Sequence, residues 1–181
     1  MARDRAALKE AYVGKMRAEV ALLEERGVRF AGNAFSSVTL AKGEPEPDGS
    51  APFSGMDGRA LRDALMALGY APEDWSAFLT CDGTGLPLGE DLFLQTVVTL
   101  DPATLILCDE QAADLARNVF AADLVELADF EAAMLAPGAL ALVRGIRMMN
   151  LGGFADALGD NRAKQTMWRR LKMLPPLGEP Y

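Results

Sequence analysis

Between Pro102 and Glu110 the chain reads Ala-Thr-Leu-Ile-Leu-Cys-Asp, an apolar run without alternation. A strand that is apolar on both faces belongs in a parallel sheet covered by helices on both sides. This one stretch therefore commits the chain to an α/β architecture. The surrounding pattern agrees. Val28–Ala31, "SAFLTC" (76–81) and "RGIRMMNLGG" (144–153) read as three further short strands. Between them lie helical segments. Leu8, Tyr12, Met16, Val20 and Leu23 recur at three or four positions, forming the stripe of an N-terminal helix that ends at Gly27. "GEDLFLQTVVTL", "EQAADLARNVF" and "NRAKQTMWRRLKML" read as helices, as does a segment from Met56–Asp57 to Gly69. The stretch "AADLVELADFEAAMLAPG" is mixed, helical or irregular. Residues 41–58, rich in Pro, Gly and acid, form a long loop of the kind that is usually functional or mobile.

Alternating strands and helices predict a three-layer α/β/α domain with a short, mostly parallel, four-stranded sheet. The whole chain, 1–181, reads as one domain, with helix 1–27 added in front. Right-handed crossovers would line up the loops after Ala31, Cys81, Cys108 and Asn150 along one edge, the expected place for a site.

Composition narrows the chemistry. The net charge of −8 opposes non-specific binding to nucleic acid, which draws its affinity from neutralising phosphates. The chain has no histidine, so the usual general acid/base and every Ser-His or Cys-His pair are excluded. Cys81 and Cys108 form no CxxC pair, and no disulfide framework is expected. No apolar run is long enough to cross a bilayer, and the charged N-terminus does not read as a signal peptide. The expectation is a cytoplasmic protein with no membrane contact. GxGxxG, GxxxxGK[ST], HExxH and GxSxG motifs are all missing, and "GTGLPLG" (83–89) reads as a turn.

In order along the chain stand V-R-F-x-G, "APFSGMDGRALRDALMALGY", "FLTC" and "LDPATLILCDEQAADL". This succession resembles the uracil-DNA glycosylase superfamily, with the closest pattern in its iron–sulfur type. In that family a strand runs into G-E-A-P-G, followed by P-F-V-G-x-A-G-x-x-L, an I-T-N strand end, a strand of the type R-P-x-V-I-V-A-L-G, a late H-P-S/A motif and a final K…W-x-x-L helix. The similar pieces here run from Val28 to Leu174. The resemblance implies a tight pocket that stacks an extruded base and a group that positions water. It assigns the water-positioning place to Asn33, with Gly32 and Ala34 beside it, and base stacking to Phe53, where Gly55 and Gly58 turn the loop into a helix. The base-pairing Asn of the family falls on Cys81, which lacks a paired donor and acceptor. The His-Pro motif falls in "NLGGF", next to Asn150, without an imidazole. Lys164 and Trp168 match the final helix. The four cluster cysteines are missing, so no metal and no cofactor are implied.

Each position also has a structural reading. Gly32-Asn33 equally supplies a turn, Phe53 equally packs the loop onto the core, and the cysteines equally end buried strands. Arg162, Lys164, Arg169, Arg170 and Lys172, extended by Arg144 and Arg147, form either a nucleic-acid-facing patch or a solvated helix face. Three functions follow. The first is a divergent member that has lost base excision and binds a nucleobase-like ligand or a protein partner. The second is an N-glycosidic bond hydrolase on DNA that uses Asn33 and Phe53. The third is an unrelated flavodoxin-like or nucleotide-binding domain.

Overall fold

The computed structural model describes residues 2–178. Met1 and residues 179–181, which close the expected 1–181 domain, lie outside them. In chain order the elements are α1 (Ala2–Glu25), β1 (Phe30–Gly32), β2 (Val38–Lys42), α2 (Met56–Ala67), β3 (Ser76–Leu79), α3 (Glu90–Leu100) and β4 (Thr104–Leu107). There follow α4 (Glu110–Val119), α5 (Ala121–Leu124), α6 (Phe130–Ala133), β5 (Leu140–Val143), β6 (Ile146–Asn150), α7 (Phe154–Ala157) and α8 (Asn161–Leu171).

The strands form one sheet in the order β1-β3-β2-β4-β6-β5. β3, β2, β4 and β6 run parallel, and both edge strands are antiparallel to their neighbours. β4 occupies the centre and is buried on both faces, as its unbroken apolar run requires. Successive residues serve opposite layers. Leu105 and Leu107 join Phe78, Met148 and the helices α3 and α4, whereas Ile106 joins Leu40, Met149 and the helices α2 and α8. Full burial of each such side chain contributes roughly 1.5–3 kcal/mol, and two cores on the two sheet faces give the α/β/α layering.

The expected four-stranded, mostly parallel sheet is thus corrected to a six-stranded mixed one. Two strands escape the sequence pattern. β2 is buried throughout yet carries Thr39 and Lys42, so it does not read as an apolar run. Its Thr39 hydroxyl is satisfied by Ser76 Oγ at 2.7 Å. β5 alternates exposed and buried, as an edge strand with one covered face should. It turns into β6 through Arg144 and Gly145, both at positive φ, the backbone of a tight two-residue hairpin.

The second correction bears on the site. β1 is antiparallel to β3, with Gly32 opposite Ser76 at the start of that strand. The loop after β1 therefore leaves at the amino edge of the parallel strands, away from the loops after Lys42, Cys81, Cys108 and Asn150.

Candidate functional site

At the carboxyl edge, the loops after β2, β4 and β6 enclose a cleft of about 600 Å³. Ligands of open α/β sheets bind at this edge, and the volume is that of a small-molecule site. The wall is built around Lys42, the last residue of β2. Its Nζ donates to Glu46 Oε1 at 2.6 Å and to Asp57 Oδ2 at 2.7 Å, and it stands 4.7 Å from the centre of the Phe53 ring. All three charged side chains are less than a tenth exposed. One cation between two carboxylates leaves a buried excess of negative charge. Asp57 lies in the first turn of α2, where the helix dipole favours an anion.

These ions also hold the long loop. Glu46 Oε1 accepts the Phe53 amide at 2.9 Å, and Arg62 donates to the Phe53 carbonyl at 2.8 Å. Phe53 is fully buried with φ at +59°, a left-handed conformation that a bulky side chain adopts only when its surroundings enforce it. Gly58 makes the enforcement explicit, because a Cβ there would lie 1.8 Å from the Phe53 carbonyl oxygen. Asp109, the N-cap of α4, accepts from Ala112, Gly43 and Glu44 amides and so ties the β2 loop to the β4 loop. Arg29 holds the far end of the loop through the Gly49 and Ser50 carbonyls, both at 2.9 Å.

Burial pulls the Lys42 ammonium down, but its hydrogen bonds and charge pairing with Asp57 and Glu46 outweigh this and hold it above its ordinary value. It stays a cation and is no amine nucleophile at neutral pH. Cys108 is buried beneath the cleft. Desolvation, with Asp109 and Asp57 adding, pushes its thiol well above the usual range, so it is not a thiolate. Glu44 and Asp156 stand exposed at the mouth. The cleft therefore offers hydrogen-bond acceptors and negative charge, and its one cation is already neutralised. Among the described residues no group of three or more His, Cys, Asp or Glu side chains could hold a metal ion. No described helix is long and apolar enough to cross a membrane.

The residues expected from sequence are only partly brought together. Phe53 lines the core directly under the cleft wall, but its ring is covered and is not a platform open to a stacking base. Asn33, Gly32 and Ala34 lie at the opposite edge. Asn33 makes a turn, accepting the Phe35 amide on Oδ1 at 3.0 Å and donating from Nδ2 to the Glu73 carbonyl. Gly32 is required there because a Cβ would meet the Trp75 carbonyl at 2.6 Å. Ala34 packs against the core. Cys81 sits buried at the end of the β3 edge, bridged to Pro87, its thiol raised by burial. Asn150 ends β6 at the correct edge but is consumed internally. It donates to the Leu135 carbonyl and to Glu110, and it accepts the Gly152 amide.

Arg144 and Arg147 are at the amino edge. The first pairs with Asp123 at 2.9 Å, and the second donates to Thr104, Tyr70 and the Pro175 carbonyl. Arg162 and Lys164 are exposed in the first turns of α8, and Lys164 borders an apolar groove between α2, α7 and α8. No continuous basic face links these four residues.

The residues that build the cleft, Lys42, Glu46, Asp57 and Asp109, were not expected from sequence. The available signal was the length of the Pro/Gly/acid loop and the cation four residues before Glu46. No protein-family model matches the chain, and no curated protein matches it.

Proposed function

We propose that the chain is a binding domain of divergent uracil-DNA-glycosylase-like design, whose carboxyl-edge cleft takes an uncharged or cationic ligand of nucleobase size and which does not excise bases from DNA. The observation that carries this reading is the charge of the cleft. Its single lysine is spent on Glu46 and Asp57, and Glu44 and Asp156 flank the mouth. A phosphate backbone approaching that mouth meets repulsion. The covered ring of Phe53 and the lack of an imidazole at the place of the family's His-Pro motif support this reading over base excision. A thermal-shift titration with uracil, cytosine and cytidine, beside a uracil-containing single-stranded oligonucleotide, tests it. The bases or the nucleoside are expected to raise the melting temperature, and the oligonucleotide is not. Stabilisation by the oligonucleotide alone would overturn the reading.

One observation favours the hydrolase as a second reading. β2, not β1, ends beside Phe53, and it runs into Gly43-Glu44-Pro45, which resembles the family's strand running into G-E-A-P-G. The water-positioning place then falls on Glu44 rather than Asn33. Release of free uracil from the oligonucleotide, abolished by Glu44→Gln and unchanged by Asn33→Ala, would establish this second reading.

A further inference from the structure

We propose that copies of this chain associate head to tail, the projecting half of α1 from one copy docking on the acid-rimmed surface of α5 and α6 of the next. Two exposed apolar surfaces on the molecule carry the argument. The first is α1, whose 24 residues span roughly 36 Å. Only its final turns pack into the core, through Val20 and Leu23, and residues 4–12 are exposed on every side. A helical stretch as short as residues 4–12 is marginal in water without tertiary cover. It nevertheless shows solvent Leu8, 72% exposed, and Tyr12, 63% exposed, beside Phe35, forming an apolar groove bordered by Arg5 and Lys9. With Lys15, which pairs with Glu19 at 3.7 Å, and Arg17, residues 4–17 carry four cations against the two acids Asp4 and Glu10, a net positive charge.

The second surface is the stretch from Phe120 to Leu135. It holds four acids, Asp123, Glu126, Asp129 and Glu131, and no cation. Between them stand Val125, Phe130 and Met134 around another apolar groove, with Phe130 76% exposed. Arg117 lines this groove and Arg144 pairs with Asp123, so the remaining acids around it are Glu126, Asp129 and Glu131. Exposed aliphatic and aromatic side chains in such a predominantly acidic surround mark an interaction surface. Here the second surface has the sign opposite to that of the first, in a chain whose net charge is −8.

The two surfaces cannot meet within one copy. Phe35 and the α1 groove lie beside β1, whereas α5 and α6 pack on β5, and these strands are the opposite edges of the sheet. Joined between copies they form a heterologous contact, which closes into a ring or continues as a chain. Neither surface belongs to the cleft, so the inference stands apart from the ligand reading.

Sedimentation equilibrium over a wide range of concentration tests it, with Leu8→Glu and Phe130→Lys as variants. Both positions are exposed, and unchanged melting temperatures will show that the fold is kept. The wild-type mass is expected to rise past that of a dimer with concentration and to fall back in molar salt. Each variant alone is expected to stay monomeric. Mixed one to one, they keep one intact contact between them and are expected to form a dimer and nothing larger. A wild type that is monomeric throughout, variants that associate like the wild type, or a mixture that fails to pair would each overturn the proposal.

Discussion

The two edges of the sheet carry loops that are held in different ways, an uncharged turn at one and an acidic stretch at the other. At the amino edge, the Asn33–Ser37 turn is fixed by neutral amides and by Asp74, which accepts from the Ser37 hydroxyl at 2.6 Å. At the carboxyl edge, the stretch from Gly43 to Gly55 is fixed by buried ions, a strained aromatic and a helix cap, and it forms the wall of a cleft. The first arrangement satisfies a chain reversal and sets Phe35 against Tyr12 of α1. The second invests burial and backbone strain in a concave, negatively charged surface, which is where a site is to be expected.

The largest effect that separates the edges should come from Lys42→Met. It leaves Glu46 and Asp57 buried without a counter-ion, so a loss of about 3–5 kcal/mol is expected in urea unfolding. Adding Glu46→Gln and Asp57→Asn should return much of it, because the cost lies in the orphaned charges. A Lys42→Met protein of wild-type stability would remove the ionic account of the loop. Next comes Gly58→Ala. Its Cβ would press on the Phe53 carbonyl, and about 1–3 kcal/mol of destabilisation is expected, with Phe53 fluorescence-neutral but its amide shifted in NMR spectra.

At the carboxyl edge the pH dependence follows from Cys108 and Lys42, and Cys81 and Tyr70, which burial raises, act in the same direction. Cys108 binds its proton more tightly folded than unfolded, so its contribution is complete below its ordinary value of 9.0 and is lost as pH rises above it. Lys42 has the same sign, complete below 10.5 and lost as pH rises through its raised value. Stability should therefore fall on the alkaline side by at most about 1.4 kcal/mol per pH unit for each group. Cys108→Ala should flatten the earlier part of that fall. An unchanged slope in the variant would mean that the thiol does not titrate against folding. The smallest effect belongs to the amino edge, where Asn33→Ala should cost about 0.5–1.5 kcal/mol and leave ligand binding at the other edge untouched.

The legibility of the sequence divides along the same line. β4 and most helices were readable because a continuous apolar run, or a three-to-four-residue stripe, is itself the cause of the element. β2 was not, since Thr39 and Lys42 are buried polar residues whose partners, Ser76, Glu46 and Asp57, lie elsewhere in the chain. Gly32-Asn33 looked like a site because glycine and asparagine are turn formers, and turn chemistry alone does not reveal which sheet edge a turn occupies. That depends on whether β1 pairs parallel or antiparallel, a long-range choice that no local pattern in Val28–Gly32 encodes. Phe53 reads from sequence equally as a stacking ring or as packing; its ring is fully buried, 4.7 Å from Lys42 Nζ, a contact that no local pattern encodes.

The carboxyl-edge cleft is proposed to accept a small ligand and to repel phosphate. Comparing cytidine with cytidine monophosphate in NMR titrations at low and high salt tests this most directly. The account predicts that cytidine shifts the amides of Gly43–Glu46, Met56, Asp57 and Gly153–Asp156, with the monophosphate binding more weakly and gaining as salt screens the repulsion. A monophosphate that binds more tightly than the nucleoside and loses affinity with salt would contradict it.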